Sequence, residues 1–469
     1  MTHVHLIGIG GSGLSAIGRF LIERGYKVSG SDLELSPYAR ELENLGAEVF
    51  IGHKPDQIKG ADLVLRSSAI PENNVEVMAA KEKGIPVYKR SEFLGKIIAD
   101  SVCVAVAGSH GKTTTTAMIS WMLTALDQDP SYLIGGKSKN LSTNAHAGTG
   151  PVFVIEADEY DYMFLGLKPH IAVITNIEYD HPDCFPAEKD FYDAFVRFLR
   201  QLDRNGKLIA CRDDKLTAQI IEYTAENLDL PSYTYGFEGG EVHPETEFSA
   251  KGLVLNQLGG YDFDVYLAQN FLTKISLKVP GVHNVYNATA CLAVAYLLEL
   301  PVEIAAQSLS DFKGTERRFE LLAEVSGISV IDDYAHHPTE IKATIDAARK
   351  RYPDREIWAV WQPHTYSRIE TLFNDYLTAF QAADHVLVTE IFASRETKRN
   401  DDSAIEIVKS MQHQDVHYLE SNVLVVDYLV NHLNPGDVVL VLSAGDANQI
   451  SLQLVEKLSR NGNGAGSRN

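Results

Sequence analysis

Val102-Cys103-Val104-Ala105-Val106-Ala107-Gly108-Ser109-His110-Gly111-Lys112-Thr113-Thr114 runs from small and β-branched residues into a glycine turn that ends in Gly-Lys-Thr. The apolar run reads as a buried strand, and the threonines and apolar residues after Lys112 read as the helix that follows it. At such a turn glycines let backbone N–H groups wrap a phosphate, and the helix N-terminus favours its charge. A lysine there reaches the β- and γ-phosphates and a hydroxyl holds Mg²⁺. Gly108, Ser109, His110, Gly111, Lys112, Thr113 and Thr114 are therefore the expected ATP cradle. Only Ser109 and His110 separate its two glycines, a shorter loop than the usual P-loop.

A second glycine loop, Gly8-Ile9-Gly10-Gly11-Ser12-Gly13, follows an apolar run from Val4 and precedes a helix expected over Leu14 to Arg24. Asp32, about 20 residues on at the end of the next strand, is placed to bind a ribose hydroxyl. This loop fits a nicotinamide dinucleotide and a sugar nucleotide equally well.

Outward from these turns the chain repeats strand, turn and helix. Leu63 to Leu65, Val152 to Glu156 and Ile171 to Thr175 alternate with helix-length amphipathic segments, which predicts α/β layers around parallel sheets. A fresh series begins after Lys313 and Gly314, with strands at Ser329 to Ile331, Trp358 to Trp361, Val386 to Thr389 and Val438 to Leu442. The expected fold is three α/β domains: a Rossmann-like 1–98, a P-loop ATPase-like 99–313 and a Rossmann-like 314–460 that closes over the site. A flexible tail, 461–469, follows.

Composition bounds the function. The chain has 469 residues, 45% hydrophobic and 22% charged, with a net charge of -21, which argues for a globular enzyme and against a nucleic-acid surface. No run of apolar residues is long enough to cross a bilayer, and the N-terminus lacks the pattern of a signal peptide, so a cytoplasmic protein is expected. Cys103, Cys184, Cys211 and Cys291 are scattered and suggest neither a disulfide framework nor zinc.

Hard ligands for a nucleotide-bound Mg²⁺ are expected at strand ends. Val152 to Glu156 delivers Glu156, Asp158 and Glu159, and Ile171 to Asn176 leads to Asn176, Asp180 and His181. Imidazole joins carboxylates in a Mg²⁺ or Mn²⁺ shell less readily than oxygen does, so His181 is the weaker ligand candidate.

Seven segments, in order, resemble the successive signatures of the Mur ligase family over nearly the whole chain. They are Gly108-Ser-His-Gly-Lys-Thr-Thr-Thr-Thr116, Glu156-Ala-Asp-Glu-Tyr-Asp161, Thr175-Asn-Ile-Glu-Tyr-Asp-His181, His283-Asn-Val-Tyr-Asn287, Gly314-Thr-Glu-Arg-Arg-Phe319, Asp332-Asp-Tyr-Ala-His-His-Pro-Thr-Glu340 and Gln362-Pro-His-Thr-Tyr-Ser-Arg368. The resemblance implies an ATP-dependent ligase of cell-wall precursor synthesis that joins a carboxylate to an amine through an acyl phosphate. Asp-Asp-Tyr-Ala-His-His-Pro and Gly-Ile-Gly-Gly-Ser-Gly point to the branch acting on UDP-N-acetylmuramate and L-alanine, and to a related branch that recycles a tripeptide. No nucleic acid or membrane partner is expected, and the chain is expected as a monomer or weak homodimer.

The resemblance also implies roles. Gly10, Gly11, Ser12, Asp32, Ser67, Ser68 and Ala69 would cradle UDP, and Lys112, Thr113, Glu156 and His181 would form the phosphate and metal centre. Asn284, Asn287, Arg318 and Asp333 would hold ATP. His336, His337, His364 and Arg368 would face the carboxylate substrate and the amino acid, with His337 a candidate base. Three positions depart from the family's usual pattern: Ser109 for threonine, Tyr160 where alanine-adding members commonly carry serine, and Thr365 for an arginine, leaving Arg368 as the anion anchor of that segment. An oxidoreductase would use the first loop but leave Lys112 and the carboxylates idle. A nucleotide sensor would keep both loops but need neither the histidines nor Arg318.

Overall fold

The computed structural model describes residues 1–237, 247–397 and 404–465, with side chains to residue 460. Three sheets follow one another along the chain. The first joins β1 (His3–Ile7), β2 (Lys27–Asp32), β3 (Glu48–Ile51), β4 (Leu63–Arg66) and β5 (Val87–Lys89) in the order β3-β2-β1-β4-β5, all parallel.

The second sheet holds β6 (Val102–Ala107), β7 (Ser131–Ser138), β8 (Thr143–His146), β9 (Val152–Glu156), β10 (Ile171–Ile174), β11 (Lys207–Cys211), β12 (Ser232–Phe237), β13 (Glu247–Leu255), β14 (Tyr261–Leu267) and β15 (Asn270–Ser276). Their order is β15-β14-β13-β12-β11-β10-β6-β9-β7-β8. The third holds β16 (Glu320–Val325), β17 (Ile328–Asp333), β18 (Ile357–Trp361), β19 (His385–Val388), β20 (Val416–Tyr418) and β21 (Val438–Leu442), ordered β16-β17-β21-β18-β19-β20.

The central strand β6 shows why its sequence has no polar alternation. Cys103, Ala105 and Ala107 enter the hydrophobic core on one face of the sheet, and Val104 and Val106 enter the core on the other, so both faces are covered. Parallel register then sets the site: Val106 pairs Glu156 and Ala107 pairs Ile174. The glycine turn after β6, the carboxylate ending β9 and the loop after β10 emerge together at one sheet edge, where open parallel sheets bind ligands.

The parallel sheets carry antiparallel additions at three places. β13, β14 and β15 form an antiparallel meander, and β7 with β8 and β16 with β17 are antiparallel pairs. Their short turns leave no room for a crossover helix. The signal was present in Tyr261-Asp-Phe-Asp-Val265, which alternates buried and half-buried residues. The last helix, Asn448–Ala465, carries through residues 461–465, expected in the frayed tail, while 466–469 lie outside the described residues. Among the described residues no helix is long and apolar enough to cross a membrane.

Candidate active site

The turn after β6 needs its glycines. Gly108 takes φ 132°, and a Cβ there would lie 2.9 Å from the Asn176 carbonyl oxygen; Gly111 takes φ 83° as N-cap of the helix Lys112–Ala125. The loop after β10 braces the turn. Ser109 N donates to Asn176 O at 2.9 Å, His110 N to Asn176 Oδ1 at 2.9 Å, and Ser109 Oγ to Glu178 O at 2.7 Å.

Lys112 folds back over this loop, donating from Nζ to Gly108 O at 2.5 Å and to Glu159 Oε1 at 2.9 Å. Burial opposes its charge, but Glu159 and Asp158 outweigh burial and raise its pKa. Thr113 Oγ1 donates to Glu156 Oε1 at 2.9 Å, and Gly135 N donates to Glu156 Oε2 at 2.6 Å. Burial pushes the Glu156 carboxyl up against the pull of Lys112. Glu159 is almost wholly buried, and its Oε2 has no hydrogen-bond partner.

His181 stands in the left-handed region at φ 56°, a conformation that costs a non-glycine residue about 1 kcal/mol and is concentrated at functional sites. Its Nε2 lies 3.6 Å from Glu159 Oε1, so Lys112, Glu159 and His181 form a chain along the sheet edge. Burial lowers its pKa, and Asp180 with Glu159 more than restores it.

Two cavities meet at this edge. One of about 490 Å³ is lined by His110, Gly111 and Thr114 of the loop together with Asn284, Asn287, Arg318 and Asp333, while Ser109, Lys112 and Thr113 line the other and Gly108 lines neither. Asn287 Nδ2 donates to Asn284 Oδ1 at 3.1 Å, one turn apart on the helix Val282–Leu297. Arg318 is flanked by two left-handed residues, Arg317 at φ 55° and Phe319 at φ 45°, and Asp333 accepts from Phe319 N at 2.7 Å.

The second cavity, about 830 Å³, runs between the sheets. Gly10 and Ser12 line it from the first, Lys112, Thr113, Glu156 and His181 from the second, and His336, His364 and Arg368 from the third. Gly11, Asp32, Ser67, Ser68, Ala69 and His337 are not in its lining. Asp32 instead braces the first glycine loop, accepting Gly10 N at 2.8 Å, while Ser67 N bonds Ile7 O beside that loop. His337 caps the helix Pro338–Arg351 with Nδ1 and is buried. Burial first, then the charge of His110, lowers its pKa. His336 and His364 are held neutral, pushed down to about 3 and about 2 chiefly by burial.

Arg368 is less available than its sequence position suggests. It is buried, its Nε donates to Asp180 Oδ1 at 2.7 Å and its Nη1 to His364 O at 2.8 Å. This ion pair ties the third domain to the second. Sequence reasoning assigned no part to Glu178, Glu340 or Arg90. His110 contacts Glu178 at 2.8 Å and Glu340 at 3.2 Å, and Arg90 pairs with Asp158 at 3.2 Å across the first two domains. Glu340 was findable, because it is the acidic N3 residue of a capping box.

Three family models match in succession: the Mur ligase family catalytic domain over residues 3–101, the Mur ligase middle domain over 106–295 and the Mur ligase glutamate ligase domain over 317–445. The UDP-N-acetylmuramate–L-alanine ligase of Alkaliphilus metalliredigens is 40% identical over 459 residues, 97% of each chain. The enzyme of the same name from Pelotomaculum thermopropionicum is 40% identical over 463 residues, 98% of each. Among solved structures, the UDP-N-acetylmuramate–alanine ligase of Thermotoga maritima superposes with TM-score 0.83 at 27% identity, covering 98% of this chain and 100% of that one. A murein peptide ligase of Psychrobacter arcticus superposes with TM-score 0.74 at 26% identity, covering 98% and 99%.

Proposed function

The chain belongs to the Mur ligase family, and from that premise we propose that it joins L-alanine to the lactyl carboxylate of UDP-N-acetylmuramate at the expense of ATP, in peptidoglycan precursor synthesis. The observation that carries the reading is the 830 Å³ cleft. A phosphate-binding lysine, a glycine loop suited to a sugar nucleotide and a third-domain wall of neutral histidines face one space.

The residues support an order of events. ATP lies against the loop Gly108–Thr114, with Asn284, Asn287, Arg318 and Asp333 around the rest of it. The lactyl carboxylate oxygen attacks the γ-phosphorus and ADP leaves, giving an acyl phosphate. During this transfer Lys112, whose charge is secured by Glu159 and Asp158, exchanges its loop carbonyls for phosphate oxygens. The amine of alanine attacks the acyl carbon and phosphate departs. Among the cleft histidines, His336 donates Nδ1–H to Tyr334 O, which leaves its Nε2 lone pair to accept a hydrogen bond and orient the amine. The amine's proton leaves with the departing phosphate, because an imidazole held down to about 3 does not retain it. His337, outside the lining, orients the helix that carries Glu340.

The side chains fit a divalent cation. A buried carboxylate held up by desolvation at Glu156 and a hydroxyl bonded to it at Thr113 are hard oxygen donors side by side, of the kind such a cation takes. Thr113, Glu156 and His181 would hold Mg²⁺, with Mn²⁺ as an alternative, and the ion supplies charge neutralisation to the transferring phosphoryl group. We divide the chain at 98/99 and 313/314, assign UDP to the first unit and the loops around Asp32 and Ser67–Ala69, and place the reaction in the cytoplasm, where ATP is supplied.

Hydroxylamine tests the first half-reaction. Enzyme given ATP, Mg²⁺ and UDP-N-acetylmuramate without an amino acid should yield a hydroxamate; ADP release without hydroxamate would remove the acyl phosphate from the scheme.

A further inference from the structure

We infer that Arg395 receives the α-carboxylate of the incoming L-alanine, an assignment that rests on the ligase reading above. An α-amino acid carries its carboxylate beside the reacting nitrogen, so a cation is needed next to the place where amine meets acyl carbon. Several cations line the cleft, and most are committed. Arg368 is buried against Asp180, and Lys112 lies on its own loop and Glu159. Arg317 donates from Nε to Asp332 at 3.1 Å and from Nη2 to Ser443 O at 2.6 Å.

Arg395 differs in how its donors are spent. It lines the cleft, its side chain is 40% exposed, and its Nε and Nη2 both reach a single oxygen, Asp183 Oδ2, at 2.8 and 2.7 Å. Nη1 therefore keeps its N–H groups for a ligand among the described residues. The guanidinium is also held in place from below: its carbon lies 3.9 Å from the centre of the Tyr160 ring, and Tyr160 Oη donates to Asp183 Oδ2 at 3.2 Å. The same ring meets His181 edge-on, with centroids 5.3 Å apart. Tyr160 thus links a cation with free donors to the phosphate centre, and Asp183 and Tyr160 act as positioning residues for Arg395.

This arrangement selects for a free carboxylate. L-Alanine presents one to Arg395, whereas an alanine whose carboxyl is already an amide presents a neutral group and leaves the guanidinium without its anion. The test compares L-alanine with L-alaninamide in the ADP-release assay, for the wild type, Arg395→Met and Arg395→Lys. We expect the wild type to prefer L-alanine strongly, and R395M to raise the KM for L-alanine by about tenfold to a hundredfold and to lose that preference. R395K should recover part of it. The KM for ATP, read in the same assay, reports the fold of each variant. Retention by R395M of the wild-type preference for L-alanine over the amide overturns the assignment alone. Absence of alanine-dependent ADP release in the wild type overturns the ligase reading itself.

Discussion

Nδ1 of His110, in the phosphate loop, lies 3.2 Å from Oε1 of Glu340, in the first turn of a third-domain helix. Nε2 of the same ring meets Glu178 at 2.8 Å, and Glu178 Oε1 accepts from Thr339 Oγ1 at 2.7 Å. One imidazolium therefore bridges carboxylates from two domains. The glycine loop after β6 and the third-domain helix are thus joined through this one ring.

His110 sets a pH dependence. Burial disfavours its charge, but Glu178 and Glu340 outweigh burial and raise its pKa from 6.5 to about 10. A raised folded-state pKa contributes stability that is fully present below 6.5 and is lost as pH rises through about 10. His337, His283 and Arg318 also face this cluster, so the contribution is read as a difference between proteins. The thermal midpoint of the wild type should fall more steeply across that window than that of His110→Gln; parallel curves would show that the bridge adds nothing.

Lys112→Ala should lower turnover by about a thousandfold, as expected for loss of a charge aimed at the transferring phosphoryl group. UDP-N-acetylmuramate binding by calorimetry should persist, because Gly10 and Ser12 sit in the loop and helix start after β1 and Asp32 ends β2, all outside the domain that carries Lys112. Comparable loss of both would mean that Lys112 supports the cleft as a whole.

Arg368→Gln would leave Asp180 buried without its ion partner, which costs about 3–5 kcal/mol when one half of a buried pair is removed. Since the pair joins two domains, the cost should fall on closure. Small-angle scattering should record a larger radius of gyration than wild type; an unchanged radius would place the pair's effect within one domain.

The fold was legible where periodicity and turn chemistry agreed. The run Val102–Ala107 and the glycines after it specify a buried parallel strand and its turn, as found. The site was legible at motifs whose backbone geometry needs a particular residue, such as Gly108 and Gly111. Partners supplied by distant segments were not. Nothing in the spacing of Arg368 reveals that Asp180 consumes its charge, and nothing near Tyr160 announces Arg395 above its ring, because both pairs exist only once the third sheet meets the second. The antiparallel meander is less legible, because the alternation in Tyr261–Leu267 is short and only half-exposed on its polar face, within a chain dominated by βα rhythm.

Glu156→Gln keeps the shape of the side chain and removes the charge expected to hold Mg²⁺. The Mg²⁺ concentration giving half-maximal turnover should rise about tenfold or more, by the loss of a carboxylate ligand, while chelation should silence the wild type. An unaltered Mg²⁺ dependence would move the metal away from Thr113 and Glu156.

The central claim is tested most directly by the mass of the product when the enzyme receives ATP, Mg²⁺, UDP-N-acetylmuramate and equal concentrations of L-alanine and L-alanyl-γ-D-glutamyl-diamino-acid tripeptide. The account predicts UDP-N-acetylmuramoyl-L-alanine, with one ADP released for each molecule formed. A predominance of the tripeptide adduct, or ADP formed without either adduct, would contradict it.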